Sequence, residues 1–181
     1  RSANVAVIDR LSERAEPVIA LQQTRPAETD LSKAEFAPIG CAAQVLRVID
    51  LPDGSVRVLL EGMERAHVDG FQVKGGRLHC NAKPVAGTVE DPVAFDAHVR
   101  ELDLRYREYM GGTGVGAADH AVMGESGEDP IRLIDQVLGN LDLLYPERLR
   151  GLLIVDPLER VQYALDQLAT ALGQQKVAAE V

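Results

Sequence analysis

Few residues in this 181-residue chain combine the type and the spacing that chemistry needs. Gly112-Thr113-Gly114-Val115-Gly116 has the composition of a phosphate-binding loop, in which backbone amides at a helix start cradle an anion. It lacks the Lys-Ser/Thr pair that would follow, and no strand pattern precedes it, so it reads as a linker. The histidines His67, His79, His98 and His120 show no metal-ligand spacing among themselves or with Cys41 and Cys80. His79 and Cys80 are neighbours on a strand-like segment, where adjacent side chains point to opposite faces. No serine sits in a Gly-x-Ser-x-Gly elbow, and no carboxylate pair stands apart from the solvated charge. The expectation is a chain with no catalytic residue, no metal and no cofactor.

What the residues offer instead is a surface. Asp53-Gly54 lies between two apolar runs and predicts a hairpin, because glycine tolerates the positive φ of a tight turn. A two-residue loop there would set Leu51 opposite Val56, Asp50 opposite Arg57, Ile49 opposite Val58 and Val48 opposite Leu59. Val56, Val58, Leu60, Ile49 and Leu51 then form the core side, while Arg57, Glu61 and Asp50 face water. Leu59 and Val48 fall among those charges. Two readings stay open: another element covers them, or they form an exposed apolar spot, with Leu51 and Pro52 as its shoulder, suited to catching unfolded chain.

The elements that must hold this hairpin divide by periodicity. In the first half, a helix is expected over residues 2–16, from Val5, Ile8, Leu11 and Ala15, and a short strand over 18–21 after Pro17. Residues 24–33 read as a loop, and strands are expected over 41–51, 56–60, 67–73 and 77–85, with Gly75-Gly76 as a turn. In the second half, Asp91-Pro92, Asp129-Pro130 and Asp156-Pro157 each announce a helix: Asp caps the open amides and Pro suits the first helical position. The helices are expected over 92–110, 130–141 and 157–172, with another after Pro146. Residues 111–127, rich in glycine, read as a flexible connection. The division is thus 1–90, β-rich, and 91–181, helical.

Charge and hydropathy narrow the partners. With Lys+Arg 19 against Asp+Glu 28, the net charge of −9 repels phosphate backbones and argues against nucleic acid. No apolar run approaches the roughly 18–20 residues a bilayer demands, and the first residues do not form a signal peptide, so a soluble cytoplasmic chain with reduced cysteines is expected.

Residues 40–66, from Gly40 through Leu51-Pro52-Asp53-Gly54 and the valine-rich strand to Glu61-Gly62 and Arg65-Ala66, resemble the signature of the amino-terminal domain of Lon-type ATP-dependent proteases. Weaker likenesses flank it: Arg1-Ser2 to a helix start, residues 18–23 to a strand, and Asp129-Pro130-Ile131-Arg132-Leu133-Ile134-Asp135 to a helix. The resemblance implies an α+β fold, a β-rich PUA-like pseudo-barrel followed by an α-helical bundle. It implies a non-catalytic module that recognises unfolded or tagged proteins for an ATP-driven protease and supports self-association, a hexamer in the full-length parent. In that family a further strand precedes the position of Arg1, so the chain is expected to be a fragment without it. The family's P-loop and catalytic Ser and Lys lie beyond this domain, and no proteolysis is expected of the chain alone. Two other functions remain: a free-standing Lon-like interaction or ligand-binding module, and RNA binding by a PUA-like fold.

Overall fold

The computed structural model describes residues 17–25, 28–53, 55–112 and 129–179. The helix expected over 2–16 and all but the first two residues of the glycine-rich connection lie outside them. The chain forms two compact units, Arg1–Val85 and Ala86–Val181.

The first unit is an antiparallel sheet of β1 (Val18–Ala20), β2 (Ile39–Asp50), β3 (Val56–Lys74) and β4 (Arg77–Pro84), in that spatial order. Gly75 and Gly76, at φ 58° and 74°, make the two-residue turn between β3 and β4, pairing Lys74 with Arg77. β3 is one strand of 19 residues where the alternation predicts two. Register shifts explain this: irregularities at Ala42/Ala43 and Val45/Arg47 on β2, and at Asp69/Gln72 on β3, absorb residues that break the period and keep the ladder running. At Gly40 the close approach of β1 leaves no room for a side chain, since a Cβ would fall 2.8 Å from the Ala20 carbonyl oxygen. Ala37, Ile39, Ala43, Val45, Ala66 and Val68 are buried, and the Phe36 and Phe71 rings meet at 5.1 Å.

The second unit contains α1 (Pro92–Gly112), α2 (Pro130–Asn140), α3 (Tyr145–Leu153) and α4 (Pro157–Ala179). The three Asp-Pro starts act as their chemistry dictates. The Asp91 carboxylate accepts from the Ala94 amide at 3.0 Å, Asp129 from Ile131 at 2.9 Å, and Asp156 from Glu159 at 2.7 Å. α1 continues through Gly111 and Gly112, which the sequence pattern assigns to the connection, and α4 runs past its expected end. Leu102, Tyr106, Leu133, Ile134, Val137, Leu141, Val161 and Leu168 interlock in one core. Arg160 is buried within this unit, its Nε donating to the Gly151 carbonyl at 2.9 Å and its Nη1 paired with Asp135. Among the described residues no helix is long and apolar enough to cross a membrane.

Candidate functional site: an apolar β-ribbon

β1 pairs with β2 only at Cys41–Ala43, and β4 pairs with β3 only from Ala66 to Lys74. Residues 44–50 of β2 and 56–61 of β3 therefore pair with each other alone among the described residues. They form a two-stranded ribbon whose edges no third strand covers among the described residues. Such a ribbon has two exposed faces, and its large apolar side chains cannot all be buried.

The ribbon's register differs from the expected one. The Leu51 amide donates to the Ser55 carbonyl at 2.9 Å, and Asp50, not Leu51, stands opposite Val56. Leu51 thus stands across from Ser55, and the turn holds one residue more than the two expected. The cause lies in Asp53, whose Oδ1 accepts from the Ser55 amide at 2.9 Å and the Ser55 hydroxyl at 2.6 Å, closing an Asx turn. Those hydrogen bonds hold the Asp53 carboxyl below its ordinary value. A slip of one residue exchanges the faces of a strand, and three placements change with it. Val48 pairs with Val58, so it leaves the face of Leu59. Ile49 pairs with Arg57 on the wet face instead of joining the core side. Arg47, not Val48, faces Leu59. The Asp-x-Ser spacing at the turn was the signal that could have revealed this.

Beyond the shift at Val45/Arg47, Leu60 pairs with Val45. Leu59 is 53% exposed, Leu46 50% and Met63 62%, with Ile49 and Leu60 also exposed. Leu51 and Val48 are half-buried and Pro52 is exposed. Of the two readings left open for Leu59, the structure takes the exposed one. Leu51 and Pro52 lie at the turn, with the Ile49–Arg57 pair between them and Leu59; Val48 lies on the reverse face.

The rest of the chemistry is sparse. Neither Cys41 nor Cys80 enters a disulfide, and burial together with the Asp69 charge pushes the Cys80 thiol up, away from the reactive thiolate. Among the described residues no three His, Cys, Asp or Glu side chains converge as a metal site would require. His120 and the 113–116 part of the glycine-rich loop lie outside those residues.

A family model for the substrate-binding domain of ATP-dependent protease La (LON) matches residues 1–170. The chain is 26% identical over 171 residues to the Lon protease of Brucella suis biovar 1, and 20% identical over 172 residues to that of Escherichia coli K12. These alignments cover 91% and 95% of the chain but 20% and 22% of those proteins, so the chain spans about a fifth of the length of the relatives it matches. Its fold is similar to the N-terminal domain of Mycobacterium avium complex Lon protease, with a TM-score of 0.68 at 17% identity over 92% of this chain and 83% of that one. A Lon N-terminal domain protein from Xanthomonas campestris follows, at a TM-score of 0.54 and 13% identity over 92% and 85%.

Proposed function

This chain belongs to the family of LON substrate-binding domains, and from that premise we propose that it captures unfolded or tagged proteins for an ATP-dependent protease of which it is one part. The observation that carries the reading is Leu59, half exposed on a hydrogen-bonded ribbon where an ordinary solvated strand would place a polar residue. Ile49 comes next along the same face, and Leu51 and Pro52 form the shoulder at the turn beyond it. Val48 contributes from the reverse face, as the cross-strand support of Val58. Burying one such leucine against a client stabilises the complex by roughly 1.5–3 kcal/mol, about one to two orders of magnitude in affinity. A few contacts of that size give capture weak enough for release to a motor. Work in the cytosol and self-association within a hexameric parent belong to the same proposal. So does a module with no catalytic centre, acting beside one elsewhere in the parent.

Leu59→Asp tests it. The variant should keep its thermal transition and bind a denatured, fluorescently labelled client at least tenfold more weakly than the unaltered chain. A variant that folds and binds as before places capture elsewhere and ends this reading of the ribbon. A variant that unfolds makes Leu59 a packing residue.

A further inference from the structure

Building on that proposed capture role, we infer that the ribbon selects clients by charge as well as by hydropathy, taking extended apolar segments that carry carboxylates. The residues responsible are Arg47 and Arg57. Between the turn and the shift at Val45/Arg47, the pairs Ile49–Arg57 and Arg47–Leu59 follow one another along one face. The four side chains make a checkerboard, two aliphatic groups on one diagonal and two guanidinium groups on the other, and all four are exposed. Each arginine faces an aliphatic side chain instead of an acid.

The whole chain has 28 acidic and 19 basic residues, so carboxylates are plentiful. Some arginines elsewhere hold carboxylates, as Arg25 holds Glu35, Arg105 holds Glu101 and Arg107 holds Asp103. No carboxylate of the described residues pairs with Arg47 or Arg57. Asp53 is engaged by Ser55, Asp50 lies on the reverse face opposite Val56, and Glu61 stands beyond Leu59, opposite Gln44. Two like charges on a diagonal lie roughly 7–8 Å apart and do not stabilise the ribbon. They are suited to a partner that brings the acid.

The distribution of charge supports the same partner. The unit that bears the ribbon, residues 1–85, has 11 acidic and 11 basic residues, whereas residues 86–181 have 17 and 8 and so hold the entire net charge of −9. The ribbon's own unit therefore does not repel an acidic segment. Guanidinium groups fork onto carboxylates, and Ile49 and Leu59 lie between the forks to take the apolar side chains. A nucleic acid fits less well: residues 44–65 contain no aromatic ring on which a base could stack.

The test uses the whole chain and three labelled peptides sharing one apolar core, flanked by Glu, Gln or Lys. Fluorescence anisotropy at low salt should rank them Glu, Gln, Lys, with the Glu peptide about three- to tenfold tighter than the Lys peptide. The ranking should fade as salt screens the charges. The double variant Arg47→Gln with Arg57→Gln should erase the ranking, so that the three peptides bind alike, and Arg47→Lys with Arg57→Lys should restore it. Circular dichroism confirms that each variant is folded. Three peptides that bind alike, yet are all lost in Leu59→Asp, leave capture standing and overturn charge selection. A ranking that persists in the double Gln variant overturns it too. If no peptide binds, the capture reading and this inference fall together. If the Gln variants lose single-stranded oligouridylate and keep the peptides, the arginines serve nucleic acid and the inference is wrong.

Discussion

The helical unit and the β2–β3 ribbon place their large apolar side chains in opposite ways. In the helices, Leu102, Leu133, Ile134, Leu141 and Leu168 are almost wholly buried. In the ribbon, Leu46, Ile49, Leu59 and Leu60 stay exposed. Composition does not explain this, because both regions are rich in Leu, Val and Ile. Geometry does. An amphipathic helix carries one apolar stripe, and α1, α2 and α4 turn theirs toward a shared interior. A two-stranded ribbon has two faces to cover, and among the described residues the pairing of β1 stops at Ala43 and that of β4 at Ala66. The helical unit uses its hydrophobic residues to hold itself together, and the ribbon displays them.

That contrast can be broken most sharply in the helical core. Leu168 is fully buried on α4, so Leu168→Ala should lower stability by about 2–5 kcal/mol, read from denaturant unfolding of the helical signal. A loss no larger than that of an exposed ribbon residue such as Leu59 would erase the distinction between the two regions. A smaller effect is expected at Arg160. Arg160→Ala leaves the Gly151 carbonyl without its buried donor and Asp135 without its cation, at a cost of about 1–3 kcal/mol. Asp135 is 36% exposed and can regain water, which limits the loss. Arg160→Met, which keeps the packing, should unfold less readily than the alanine variant in the same assay. Equal losses would mean that packing contributes nothing there.

The smallest effect concerns the turn that sets the ribbon's register. The Asp53 carboxyl is held below its ordinary value of 3.8 by Ser55, so its contribution is present above that pH and disappears as pH falls through the still lower folded value. The Ser55 amide resonance should stay constant from neutral pH down to the usual carboxylate range and shift only beneath it. Asp53→Asn should flatten that response. A shift beginning at mildly acidic pH would show that Asp53 does not hold the turn.

Several features were written locally and could be read from the chain alone. The Asp-Pro pairs at 91, 129 and 156 start helices because cap and first turn lie within three residues of one another. Gly75-Gly76 turns a hairpin because only its own dihedral angles decide it. The succession of strands and then helices, with the motif of residues 40–66, was enough for the α+β class and for the family. Other features depended on distances that the sequence does not express. The extra residue in the ribbon's turn was written locally in Asp53-x-Ser55, but the shift at Val45/Arg47 was not, and each reverses the parity of every side chain beyond it. This exchanged Ile49 and Val48 between faces and brought Arg47 and Arg57 together around Leu59. Arg160 reads in the sequence as one more polar residue on a helix, but it is buried because Asp135 and the Gly151 carbonyl converge on it from α2 and α3. Caps and tight turns are settled by neighbouring residues, whereas faces and buried charges are settled by partners that only folding brings near.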